Sequence, residues 1–241
     1  MGINESNQHF LTDQRLLREI AQAAQVSPDD VVLEVGAGPG NLTRLLCAAK
    51  LLIAVEKDGK FRPALLQLRQ EHKNIRPLFA NILLVPPPKA DIVIGNIPYN
   101  ISEPLFYQLM RASCKRIILL VSARFYRAIT GQKLSLLLPY YFTLERLIEV
   151  PRTAFSPKPR VDSVLIRLIP KKERSLPREV LDQQDKRVKN AVEHALWQQK
   201  GWSKRQAGAW CREHLPGISG IRLRQLSHSE LKALLAALNN V

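Results

Sequence analysis

Between residues 31 and 122, short β-branched runs alternate with stretches of helical periodicity. Residues 31–35, 51–55, 91–95 and 116–122 are apolar and bounded by turn or polar residues, the pattern of strands buried on both faces of a parallel sheet. Residues 60–72 and 103–112 carry amphipathic spacing, and a further helical stretch is expected from about Asn41. This repetition predicts an open α/β sheet covered by helices, with ligands bound at the carboxyl ends of the strands. A basic, proline-rich stretch at 150–160 leads into an alternating run, 162–169, that reads as a sheet-edge strand. Residues 170–177 have linker composition, and beyond them the pattern is helical only: 180–199, 204–214 and a helix from Ser229, announced by the capping box of Ser227 with Glu230. The expected organisation is an α/β domain over residues 1–172 and a small all-α basic domain over 173–241.

Composition narrows the partners. Of 241 residues 46% are hydrophobic, enough apolar surface to exclude a disordered chain, yet no apolar run approaches the roughly 20 residues of a membrane span. The polar start from Met1 to Phe10 lacks the pattern of a secretory signal. Lys and Arg number 36 against 21 Asp and Glu, a net charge of +15, which points to a polyanion. Residues 151–241 hold 18 basic and 8 acidic residues, so most of the excess lies in the last third. Cys47, Cys114 and Cys211 are too scattered for a disulfide framework and fit a reducing, cytoplasmic setting. Cys211 and His214 lack a second ligand pair, so no metal is expected. A monomer is expected.

Candidate chemistry clusters after the strands. Gly36, Gly38 and Gly40 form a glycine-rich turn behind the first strand, with Asn41 where a dinucleotide fingerprint has its third glycine. Glu56 ends the second strand, where a carboxylate accepts both ribose hydroxyls of a nucleoside cofactor. Asn96-Ile97-Pro98-Tyr99 follows the strand at 91–95. An exocyclic adenine amine is a poor nucleophile, and acceptors at its two hydrogens favour the rehybridisation that methylation needs. The Asn96 side-chain oxygen and the Ile97 carbonyl supply two acceptors, Pro98 fixes the backbone, and Tyr99 offers a face for stacking. The tetrapeptide also reads as an ordinary Asn-Pro turn.

Gln8-His-Phe-Leu11, Glu34-Val-Gly-Ala-Gly-Pro-Gly40, Val55-Glu-Lys-Asp58, Asn96-Ile-Pro-Tyr-Asn-Ile-Ser102 and Phe155-Ser-Pro-Lys-Pro-Arg-Val-Asp-Ser163 together resemble the rRNA adenine N6-methyltransferases. That family contains the small-subunit rRNA adenine dimethyltransferases and the erythromycin-resistance methyltransferases, hence a link to antibiotic resistance. The resemblance implies S-adenosylmethionine as cofactor, a Rossmann-like methyltransferase domain with a helical rRNA-binding domain, and ribosomal RNA, free or in particles, as substrate. It implies that His9 and Leu11 close over the methionine end of the cofactor and that Gly36 and Gly38 line its backbone-facing side. Glu56 would then hold the ribose, Asn81 would meet the adenine, and Asn96 would serve both methionine and target amine. Phe155 would face Tyr99 across a flipped base; without the resemblance it reads as a core anchor.

Asp is usual in the family where Asn81 stands, and the loss of charge assistance is worth about 1 kcal/mol. This motivates an alternative reading, a weak or inactive RNA-binding ribosome-assembly or transcription factor on the same fold. A third is a methyltransferase of DNA adenine or a protein amide. Trp197 and Trp202, beside Lys200, Lys204 and Arg205, read equally as an RNA clamp or as core tryptophans under a solvated face.

Overall fold

A computed structural model describes residues 8–84, 86 and 89–241. The described chain divides into two compact units. The first takes the residues up to Arg127 and returns for Phe142–Pro170; the second comprises Ala128–Tyr141 and Lys171–Val241.

In the first unit the strands are β1 (Phe10–Leu11), β2 (Val31–Val35), β3 (Leu51–Glu56), β4 (Ile75–Phe79), β5 (Ile92–Asn96), β6 (Arg116–Ser122), β7 (Phe142–Val150), β8 (Phe155–Ser156) and β9 (Ser163–Pro170). Seven form one sheet in the order β4-β3-β2-β5-β6-β9-β7. Strands β4 to β6 pair in parallel across this order, while β9 runs antiparallel to both β6 and β7. The apolar runs of β2, β5 and β6 are buried because α1 (Gln14–Ala23), α2 (Arg62–Glu71) and α3 (Ser102–Leu109) supply the covering layers; Val32, Leu33, Ile92, Ile94 and Ile118 are fully buried. The chain leaves β2 towards β3 and β4, then crosses back to β5. The carboxyl ends of β2 and β5 therefore flank a topological switch point, where such sheets open a crevice.

Three expectations are corrected. The run at 162–169 is not an edge: β7 covers it, with a register shift between Arg146 and Ile148. That irregularity slips the inside–outside alternation by one residue, which hides β7 from a period-two search. The stretch after the glycine turn is only a 3-10 turn, Thr43–Leu46, since few residues separate Gly40 from the start of β3. Residues 180–199 are two helices rather than one. Between them the Val188 N–H donates to the Ile221 carbonyl and Arg187 bridges Arg222, so this backbone is engaged across the unit instead of along a helix.

The second unit contains α5 (Lys133–Tyr141), α6 (Leu176–Leu181), α7 (Val188–Lys200), α8 (Lys204–His214) and α9 (His228–Asn239), in chain order after α4 (Ala123–Gly131), which enters it from the first unit. Ser203 with Gln206 and Ser227 with Glu230 form capping boxes that satisfy the first amides of α8 and α9. Gly201, at φ +67°, ends α7 in the left-handed conformation. Tyr141 donates to Asp182 at 2.9 Å and Lys133 to the Leu226 carbonyl, fastening α5 to the later helices. Among the described residues, no helix is long and apolar enough to cross a membrane.

Candidate active site

The glycine turn leaves β2 through three left-handed residues, Gly36, Gly38 and Gly40, at φ +73°, +53° and +88°. This conformation strains any residue with a Cβ. The amides of Gly36 and Ala37 both donate to the Val55 carbonyl, folding the turn back over β3. Gly38 N–H donates to Glu56 Oε2 and Asp58 N–H to Glu56 Oε1, each at 2.8 Å. The Glu56 carboxylate, 6% exposed, thus has one backbone donor on each oxygen and one lone-pair direction left on each. Those two remaining acceptor positions fit two ribose hydroxyls.

Asn96 ends β5 on the other side of the switch point. Its Nδ2 donates to the His9 carbonyl at 3.0 Å, which sets the rotation of the amide and turns Oδ1 away as an acceptor. Ile97 is buried, and the Pro98 carbonyl accepts from Ile101 N–H, tying the motif to a 3-10 turn that opens α3. The Tyr99 side chain lies outside the described residues.

Distant stretches of sequence converge here. Strand β1 pairs with β8, so Phe10 faces Ser156 and Leu11 faces Phe155, while His9 Nδ1 donates to the Pro157 carbonyl at 2.9 Å. Asn41 donates to the Leu11 carbonyl at 3.1 Å; the residue in place of a third glycine secures the amino-terminal motif against the glycine turn.

His9, Gly36, Glu56, Asn81, Asn96, Ile97 and Pro98 line one cavity of about 290 Å³, together with Gln8, Phe10, Lys57 and Ile101. Gly38 adjoins it through Glu56 and against the Phe10 ring. Leu11 and Phe155 are not brought to this wall. Both are buried in the core, at 3% and 5% exposure, and Leu11 lies beneath the glycine turn instead. In this geometry Phe155 is the apolar anchor of β8. Asn81 Oδ1 accepts from Leu83 N–H at 3.1 Å, an Asx turn that leaves Nδ2 as the donor.

Sequence reading missed Gln8 and Phe10. Gln8 donates to Asp58 and accepts from Lys60 at 2.6 Å, and Phe10 packs edge-on against Phe61 with centroids 5.3 Å apart. The signal was present in Gln8-His-Phe-Leu11, but only the pairing of β1 with β8 shows why this short segment stays over the cavity. Beneath the turn, the wholly buried Glu34 accepts from Thr43 Oγ1 at 2.7 Å. Burial pushes its pKa up to about 8, against the lowering effect of the Thr43 hydroxyl and with a smaller contribution from the nearby Glu56 charge. Burial thus favours the neutral carboxylic acid over the carboxylate.

A family model described as ribosomal RNA adenine dimethylase matches residues 4–198. The chain belongs to this family. A Methanosarcina barkeri protein named as a probable ribosomal RNA small subunit methyltransferase A is 37% identical over 185 residues, covering 73% of this chain and 63% of that protein. A Bacillus licheniformis protein named rRNA adenine N-6-methyltransferase is 34% identical over 182 residues, 72% of this chain and again 63% of the relative. The crystal structure of a dimethyladenosine transferase from Plasmodium falciparum superposes with a TM-score of 0.68 at 26% identity, covering 96% of this chain and 98% of that one. For this member of the dimethylase family, the likeness establishes the Rossmann-like methyltransferase fold with its added helical part.

Proposed function

We propose that the protein transfers methyl groups from S-adenosylmethionine to N6 of an adenine in ribosomal RNA, once or twice, after the base has been flipped into the cavity. The observation that carries this reading is the meeting, at one switch point, of the Glu56 carboxylate and the oriented Asn96 amide in a member of this family. Glu56 holds the ribose hydroxyls with its remaining lone pairs, Asn81 meets the cofactor's adenine, and the glycine turn admits the ligand close to the backbone. The cofactor supplies a sulfonium methyl already activated for transfer, so the target amine does not have to be deprotonated first.

Asn96 Oδ1 and the Ile97 carbonyl accept the two amine hydrogens and draw the nitrogen lone pair out of the ring. Pro98 holds them in place before the base arrives, which lowers the cost of reaching the transition state. Tyr99 stacks on the flipped base, offsetting part of the few kcal/mol of extrusion. The amino-terminal segment of His9 and Phe10 covers the cavity and limits water. The first unit performs the chemistry, while the basic helical second unit grips the rRNA backbone, so substrate docking rather than cofactor binding is salt-sensitive.

Incubation with methyl-labelled cofactor and small-subunit particles, large-subunit particles or naked rRNA, followed by primer extension, tests the proposal. Label at N6 of one adenine is expected. No label in any rRNA overturns it; RNA binding without cofactor binding in calorimetry then favours the assembly-factor reading that Asn81 motivates.

A further inference from the structure

The two tryptophans that the sequence left between RNA clamp and core have different fates. Trp202 is half-buried, but Trp197 is 62% exposed, on the outer side of α7. The inner side of the same helix, Val188, Ala191, Val192, Ala195 and Leu196, is fully buried, so packing already uses the apolar stripe and does not need the indole. An aromatic ring held in water by a rigid helix is an anchor without a described occupant. Its surroundings are polar: Arg174, Glu179, Gln198 and Gln199 share a shallow open groove with it.

The groove is ordered around the ring. Gln199 Nε2 donates to the Arg174 carbonyl at 3.1 Å, which pins the segment before α6 against the end of α7. Arg178 donates to the Lys171 and Glu173 carbonyls and holds the same segment from the other side. The pinned segment carries Lys171, Lys172 and Arg174, all exposed. The Glu179 carboxylate lies 3.7 Å from the exposed Arg174 guanidinium, a solvent-screened pair that leaves the guanidinium other N–H donors. The second unit as a whole holds 15 Lys and Arg against 7 Asp and Glu.

We infer that Trp197 is a stacking platform for an unpaired base of the RNA, with Lys171, Lys172 and Arg174 taking the neighbouring phosphates. A protein partner would seat an apolar side chain on an apolar patch, whereas here the indole, with the His194 ring 6.3 Å away, stands among amides and charged groups. That combination suits a nucleotide: the ring meets the face of any base, amide groups reach base edges, and guanidinium and ammonium groups meet phosphate. The inference rests on the rRNA reading for its substrate class and assigns a contact away from the methylation pocket.

The test measures binding of the full chain, without cofactor, to a single-stranded 20-nucleotide RNA and to a blunt duplex of the same sequence. Trp197→Ala is expected to weaken single-strand binding roughly tenfold and duplex binding little, with the slope of log affinity against log salt unchanged, because stacking releases no counterions. Trp197→Phe keeps a ring and is expected to restore most of the loss, while Arg174→Gln reduces the salt slope by about one ion. Equal single-strand affinity for wild type and Trp197→Ala overturns the inference, as does an alanine variant that changes self-association in sedimentation while RNA affinity stays intact. Unlabelled rRNA in the methylation assay would instead strike the proposed function, so the two failures are separable.

Discussion

The Asn96 side-chain amide donates from Nδ2 to the backbone carbonyl of His9 at 3.0 Å, joining the end of β5 to a segment 87 residues earlier. An asparagine amide turned the other way would present a donor, not an acceptor, to an incoming amine. The amino-terminal segment therefore does more than cover the cavity: it decides which face of the amide the substrate meets.

Asn96→Ala removes that acceptor and the tie to His9. Turnover is expected to fall by about 10²–10³, while the affinity for rRNA in filter binding stays within a factor of about two, since phosphate contacts dominate it. Strong residual turnover would remove Asn96 from its assigned role.

Gly38→Ala places a methyl group in a backbone at φ +53° and 3.0 Å from the Phe10 ring. The left-handed strain costs about 1–2 kcal/mol, and the Phe10 ring has to give by a few tenths of an ångström. Weaker cofactor binding in calorimetry and a lower urea midpoint are expected. Gly59→Ala is the control, because no atom lies within 4 Å of its added Cβ; equal effects at both positions would sink the argument.

Asn81→Asp keeps the acceptor that holds Leu83 N–H and replaces the Nδ2 donor by a charged acceptor for the adenine amine of the cofactor. Charge assistance of about 1 kcal/mol corresponds to roughly fivefold tighter cofactor binding. Calorimetry on both proteins decides; a weaker Kd in the aspartate variant would refute it.

Glu34 ties stability to pH. Its pKa stands near 8 in the folded protein against an ordinary 4.5, so between these values the folded state keeps a proton that the unfolded chain has lost. The stabilising effect is complete below about pH 4.5 and is lost as pH rises towards 8, with a limiting slope of about 1.4 kcal/mol per pH unit. Glu34→Gln retains an acceptor for the Thr43 hydroxyl and cannot titrate. Urea midpoints measured from pH 5 to 8 should fall less steeply for the glutamine variant; parallel curves would count against a buried neutral acid.

The parallel core of the fold was legible because its strands are buried on both faces, and such strands must be continuous apolar runs: 31–35 and 116–122 match the observed strands residue for residue. Glu56 and the Asn96 motif were legible as candidates because each stands at the carboxyl end of a strand. The rest was hidden for identifiable reasons. In β4, Pro77 is tolerated at a sheet edge and disguises the strand, and in β7 the irregularity breaks the alternation. Short β1 and β8 have no period to detect.

What the sequence by itself determined is the chemistry on offer: which acids, amides and glycines stand at strand ends, and where the positive charge accumulates. Local spacing is enough for that, because a turn or a strand end imposes its residue types within a few positions. Only the tertiary structure decided which way the Asn96 amide faces, that Phe155 belongs to the core, and that Trp197 rather than Trp202 meets solvent. Each depends on a contact with a segment remote in the chain or on which side of an element finds a neighbour, and local sequence pattern does not encode either.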